Sequence, residues 1–153
     1  MRESILMNRD WRYYFGEPSY RLPKYTSSDQ QYRGSRAENA RGPARRDFMD
    51  EDWRRVNLPH DFVAENGLSD TDPFGGEHFD FPRDRGSAWY RRYFRLEEAD
   101  RGRRIVLHFE AVATLCQVYV NSMLLKTNHT SGIGFDVDIT DVARFGTDYN
   151  VVS

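Results

Sequence analysis

Cysteine is nearly absent from this chain of 153 residues, where Cys116 stands alone. One thiol excludes an intramolecular disulfide, so no covalent staple offsets small size. Cys116 lies in the apolar run Leu115-Cys116-Gln117-Val118-Tyr119-Val120, with no thiolate-stabilising neighbour. The expectation there is a buried, inert thiol. Lysine is scarce too, at 2 residues against 20 arginines. Guanidinium groups pair bidentately with carboxylates and stack on rings. They either line a surface for a polyanion or pair with the 24 acids of the chain. A net charge of −2 favours pairing and argues against a nucleic-acid binder. Long apolar runs are missing as well. Ile105-Val106-Leu107 is among the longest, whereas a membrane span needs about 20 residues. Met1 to Asn8 lacks the apolar core of a secretory signal, so the expected location is cytoplasmic. Without such a signal, the sequon Asn128-His129-Thr130 reads as chance.

What the chain does have is aromatic weight. Its 10 Phe, 9 Tyr and 3 Trp are too many for a disordered segment. The length suggests one domain over residues 1–153, burying roughly 70% of its unfolded surface. An α/β barrel typically takes about 250 residues and does not fit. No stretch keeps a helical 3.6-residue period. Short strands are expected at Ile5-Leu6-Met7, Trp11 to Phe15, Trp53 to Leu58, Ala88 to Leu96 and Ile105 to Glu110. Further strands are expected at Leu115 to Val120, Met123 to Leu125, Phe135 to Thr140 and Asn150 onward. Asn121-Ser122 fits a two-residue hairpin turn. Thr140 suits the cap of a short helical turn, Asp141 to Phe145, closed by Gly146. Two long polar loops, residues 17–46 and 63–86, interrupt the pattern. Many short strands with regular turn signals predict an all-β sandwich.

Few residues select a chemistry by spacing. His60, His78, His108 and His129 show no paired ligand spacing. Asp70-Thr71-Asp72 resembles the start of a calcium loop, but the other positions of an EF-hand are out of register. No metal or cofactor is therefore expected. A Gly-x-Ser-x-Gly elbow, a Walker loop and a dinucleotide fingerprint are all absent. Acids are plentiful, yet no spacing picks out a catalytic pair. The most chemical segment is Leu58-Pro59-His60-Asp61-Phe62. Pro59 pushes Leu58 toward extended backbone, and His60 and Asp61 then project from a strand end into a loop. That is where a rigid sheet places binding groups. A local hydrogen bond shaping the loop is the alternative.

Six segments together carry a resemblance. Asp47-Phe48-Met49-Asp50-Glu51-Asp52-Trp53-Arg54-Arg55-Val56-Asn57-Leu58-Pro59-His60-Asp61-Phe62 resembles the "acids, Trp, then Val-x-Leu-Pro-His-Asp" segment of glycoside hydrolase family 2. Gly86-Ser87-Ala88-Trp89-Tyr90-Arg91-Arg92-Tyr93-Phe94 is similar to its Gly-x-x-Trp-Tyr-Arg-Arg-x-Phe strand. Leu107 to Val112 resembles Phe-Glu-Gly-Val, Val118 to Asn121 matches Val-x-Val-Asn, and Phe135 to Thr140 matches Phe-x-x-Asp-Ile-Thr. Asn150-Val151-Val152 resembles the start of the next strand. The segments run in family order from about residue 5 to 152, and the His-Asp form and long loops lean toward the β-galactosidase side. Two glycines of the pattern are replaced, by Ala111 and by Ser122. Ser pays for positive φ where Gly does not, so a looser turn or another turn type is expected at Asn121-Ser122.

The resemblance implies the N-terminal sugar-binding domain of that family, a galactose-binding-like jelly-roll sandwich whose last strand is cut short. An immunoglobulin-like domain and a barrel holding two catalytic glutamates would follow, acting by retention. The chain alone is then expected to be inactive. Asp61 is implied to accept hydrogen bonds from sugar hydroxyls at the pocket rim, with His60 orienting it. The loop Asn128 to Gly132, and His129 with it, is implied to approach the same pocket. Trp89 and Tyr90 are read as packing residues. The expected partners are a β-galactoside-like carbohydrate, the domains that follow and a second copy of the chain, with no nucleic acid and no membrane. A free-standing carbohydrate-binding module is the alternative.

Overall fold

The computed structural model describes residues 3–18, 40, 42–65, 87–113 and 115–153. The two long loops expected at 17–46 and 63–86, with Asp70-Thr71-Asp72 and His78, fall largely outside the described residues. The chain divides into two compact units, Met1–Pro18 with Asp52–Tyr90, and Ser19–Glu51 with Arg91–Ser153.

The first unit is built on β1 (Trp11–Phe15) and β2 (Arg54–Val56), paired antiparallel with Trp11 opposite Val56 and Tyr13 opposite Arg54. Alternation places Trp11 and Tyr13 on the buried side, and Trp53 and Val56 are buried with them. Tyr14 tilts against Trp53, with ring centroids 5.3 Å apart. Strand β3 (Ala88–Phe94) begins in this unit, and the Gly16 amide donates to Ser87 O at 2.7 Å. Between β2 and β3 stands one helical turn, α1 (Phe62–Glu65), at the start of the expected second loop. The strand expected at Ile5-Leu6-Met7 does not form, and Ile5 and Leu6 are each 77% exposed. Three consecutive apolar residues carry no alternation, and backbone pairing starts only at Asn8, whose carbonyl accepts from the Leu58 amide at 2.7 Å.

The second unit is a two-sheet antiparallel β-sandwich, the fold class expected. Its larger sheet joins the end of β3 to β8 (Asn150–Val152), then β5 (Cys116–Val120), then β6 (Met123–Asn128). Its smaller sheet pairs β4 (Val106–Phe109) with β7 (Phe135–Asp138), from Val106 opposite Asp138 to Phe109 opposite Phe135. The Phe109 and Phe135 rings stack at 4.9 Å. Val118, Val120, Phe135, Val137, Ile139, Val151 and Val152 are buried and form the core. All three β8 residues are buried, as a strand between two neighbours requires.

The β5–β6 turn forms at Asn121-Ser122, both at positive φ (49° and 73°). That is the pair of left-handed residues of a type I′ turn, whose twist matches the strands. The looser turn expected from the missing glycine is not found. The Ser122 hydroxyl accepts the Arg46 amide at 2.7 Å, which offsets its backbone strain. The buried Asn121 side chain donates to Val142 O (2.7 Å) and Asn150 Oδ1 (2.8 Å), and accepts from the Val151 amide (3.0 Å). An amide with two donors and one acceptor in use explains Asn at the end of Val-x-Val-Asn. The helical turn expected over Asp141 to Phe145 is replaced by tight turns, with the Val142 and Ala143 amides both donating to Ile139 O. Thr140 does not cap. Its hydroxyl accepts the Ile105 amide at 3.0 Å and donates to Asp138 Oδ1 at 2.6 Å, so it closes β4 onto β7 instead. Gly146 does take positive φ.

A buried ion pair ties the second unit together. Arg91 is 0% exposed and Asp50 is 1% exposed. The Arg91 Nε donates to Asp50 Oδ2 at 2.7 Å, and its Nη1 to Pro43 O, to Arg45 O (2.9 Å) and to Ser153 Oγ (3.0 Å). The Tyr93 hydroxyl donates to the other Asp50 oxygen at 2.8 Å. An acid ahead of Trp53 and the first arginine of Trp-Tyr-Arg-Arg thus meet in space. The buried turn Gly42–Ala44 is fastened by the same guanidinium.

Candidate functional site

In the first unit, side chains from β1, β2, β3 and α1 surround His60. The Tyr90 hydroxyl lies 2.7 Å from His60 Nδ1. The Tyr13 ring meets the imidazole edge-on, with centroids 4.7 Å apart, and stands 5.2 Å from the Tyr90 ring. Nε2 lies 3.1 Å from Glu65 Oε1, off the line of a hydrogen bond. Glu65 is gripped bidentately by Arg54, at 2.8 and 2.6 Å. The Arg54 guanidinium also lies 5.8 Å from the centre of the Tyr13 ring.

The local sequence explains the arrangement. Leu58-Pro59 has a cis peptide bond, and after it His60 turns inward, leaving its side chain 8% exposed. Asp61 turns outward and is exposed. Its Oδ1 accepts the Ala64 amide at 3.1 Å, and its carbonyl accepts the Glu65 amide. Asp61 is therefore the N-cap of α1, which satisfies an otherwise orphaned helix amide. Four residues along the turn, Glu65 comes back beside His60.

Burial and charge shift the groups around the imidazole. Burial, with Glu65 adding to it, pushes the Tyr13 phenol above its ordinary range against the pull of Arg54. Burial raises the Tyr90 phenol further, helped by Tyr13 and by the carboxylates of Glu65 and Asp61. The hydrogen bonds from Arg54 hold the Glu65 carboxyl below its usual range. At neutral pH the cluster thus contains two protonated phenols and the ionised, oriented Glu65 carboxylate.

The two segment residues singled out from the sequence, His60 and Asp61, belong to this cluster. His129 lies in the second unit, exposed, directly after β6. Beside it, the buried Asn128 donates through Nδ2 to Thr130 O at 2.8 Å, so the sequon amide is engaged within the chain. Sequence reasoning missed Glu65, Arg54 and Tyr13, and gave Tyr90 only a packing role. The i to i+4 spacing of Asp61 and Glu65 was the available signal, hidden because one helical turn carries no periodicity. Cys116 is half-buried, and burial pushes its thiol up, away from nucleophilic use. Among the described residues, no group of three or more His, Cys, Asp or Glu is placed to hold a metal ion. No helix among them is long and apolar enough to cross a membrane.

Residues 69–153 match the family model described as the sugar-binding domain of family 2 glycosyl hydrolases. The chain belongs to glycoside hydrolase family 2. Among its family 2 relatives, the beta-galactosidase BoGH2A of Bacteroides ovatus is 30% identical over 144 residues, covering 94% of this chain and 14% of that protein. A beta-glucuronidase of Formosa agariphila is 32% identical over 108 residues, covering 69% of this chain and 11% of that protein. A solved beta-glycosidase from Bacteroides vulgatus superposes with a TM-score of 0.68 at 20% identity, over 99% of this chain and 16% of that one. A family 2 beta-glucuronidase gives 0.64 at 24% identity, over 98% and 14%. These two structures show the fold. The chain spans only 11% to 14% of the length of the two sequence relatives. The family-model match begins after the His60-Asp61 segment. An alignment over 94% of the chain necessarily contains that segment.

Proposed function

We propose that this chain is the non-catalytic N-terminal domain of a retaining, β-galactosidase-like family 2 enzyme, where it braces the catalytic barrel and lends Asp61 to the rim of the sugar pocket. The observation that carries this reading is the match to a beta-galactosidase along 94% of the chain. The placement of Asp61 supports it from the physical side. An exposed carboxylate on a short turn, fastened to strands on both sides, is suited to accept hydrogen bonds from sugar hydroxyls. Such a carboxylate also repels the carboxylate of a uronic acid, which favours a neutral sugar. A β-glucuronide is the second reading, supported by the Formosa relative.

The test uses the full-length protein with p-nitrophenyl β-D-galactopyranoside and the matching glucuronide. The galactoside is expected to be the better substrate. Asp61→Ala should raise its KM roughly tenfold or more, the loss of a hydrogen bond to a charged group. Unchanged KM and kcat would remove Asp61 from the pocket, and a preference for the glucuronide would move the enzyme to the second reading.

A further inference from the structure

Asp61 sits between two fastened points, His60 immediately before it and Glu65 at the end of the turn it caps. We propose that Tyr90 and Glu65 are positioning residues that aim Asp61 by locking His60 as its Nε2–H tautomer. The inference rests on Asp61 being the sugar contact.

The His60 ring is buried and has little water to bond with. Its Nδ1 has the Tyr90 hydroxyl at 2.7 Å. A protonated phenol can donate to Nδ1 or accept from it, so the direction of this bond follows the tautomer set at the other ring nitrogen. Burial and the neighbouring carboxylates keep that phenol protonated. Nε2 faces the ionised Glu65 Oε1 at 3.1 Å, which places the ring proton on Nε2 and leaves Nδ1 to accept from the phenol. The opposite tautomer would set the Nε2 lone pair against an ionised carboxylate. Glu65 cannot swing away without losing both of its bonds to Arg54 on β2. Tyr13 packs edge-on against the ring. Rotating α1 would therefore separate Glu65 from the imidazole, and a rotation that carried His60 along would also break the Tyr90 bond and orphan Nδ1. The direction of the Asp61 side chain is inherited from β2 and β3 through these two contacts.

A purely structural role and a positioning role predict different kinetics. Destabilisation lowers the fraction of active enzyme, so apparent kcat falls and KM stays. A misdirected sugar contact weakens binding of ground and transition states alike, so KM rises and kcat stays. Tyr90→Phe, Glu65→Gln and Asp61→Ala are to be compared in the full-length protein on p-nitrophenyl β-D-galactopyranoside. Tyr90→Phe and Glu65→Gln are expected to raise KM by roughly three- to tenfold with kcat within about twofold. A fall in kcat at unchanged KM overturns the positioning role while leaving Asp61 in the pocket, provided Asp61→Ala raises KM. If Asp61→Ala leaves KM unchanged, the sugar contact itself falls and the positioning role falls with it. Independently of folding defects in variants, long-range proton–nitrogen NMR of the unaltered chain reads the tautomer. A His60 proton on Nε2 is the expected result, and one on Nδ1 overturns the lock.

Discussion

At Arg91 a guanidinium with no exposed surface occupies a strand position that an apolar side chain would ordinarily fill. Burying a charge is costly unless it is paired and its donors are used. Here Nε meets Asp50, and Nη1 serves two carbonyls and a hydroxyl. The geometry demands arginine, because lysine offers one point charge and cannot reach these acceptors in a planar fork. Arg91→Met is expected to destabilise the chain by about 3–5 kcal/mol, since Asp50 would keep its Tyr93 hydrogen bond but lose the Arg91 counter-charge in the interior. Adding Asp50→Leu to that variant should recover part of the loss. Urea unfolding of the single and double variants checks both outcomes, and a single variant within about 0.5 kcal/mol of the parent would contradict the account. At this scale the sequence was only partly readable. The motif made Asp50 and Arg91 conspicuous but not as a pair, because 41 residues separate them. The same applies to His60, visible from its motif, and to Arg54 and Glu65, whose pairing depends on where one helical turn comes to rest.

Among the elements, the strands with clear two-residue alternation were legible. In β7, Phe135 and Val137 go inward and Asp136 and Asp138 outward, as the sequence pattern requires. Alternation fails as a guide where polar side chains find partners outside their own segment. Thr140 looks like a helix cap, yet its hydroxyl is drawn to Ile105 and Asp138 on the smaller sheet. Those same bonds make the end of β7 sensitive to acid. The Thr140 hydroxyl first, then Arg104 and the Thr140 amide, hold the Asp138 carboxyl at about 2 instead of the ordinary 3.8. A carboxyl with a lower pKa folded than unfolded contributes stability above its unfolded value and loses it as pH falls through the folded one. The contribution of Asp138 is therefore complete above about pH 4 and disappears toward pH 2. Asp138→Asn should lower the melting temperature at pH 6, and the gap to the parent should narrow as pH falls from 4 to 2. Because Asp138 is exposed, added salt should shrink the same gap. A gap that is constant with pH would show that charge has no part in closing the strand.

For the whole molecule, belonging to family 2 makes the reaction course the decisive question, since this chain spans a small share of its relatives. Length excluded a barrel within these residues, and the ordered series of motifs placed the chain in its family. Neither could place the groups around a sugar, because that depends on side chains brought together from separate strands. A retaining glycosidase needs two carboxyl groups about 5 Å apart, one to protonate the leaving oxygen and one to attack the anomeric carbon. Asp61 serves neither purpose in the proposed reading. It caps a turn, and its role there is to bind hydroxyls outside the reacting bond. The 153-residue chain alone should accordingly release no nitrophenol from the galactoside. The full-length protein should release it with the β anomer of galactose appearing first in the proton NMR spectrum, followed by slow mutarotation. An α anomer formed first would contradict retention, and hydrolysis by the chain alone would locate the catalytic pair among its own carboxylates.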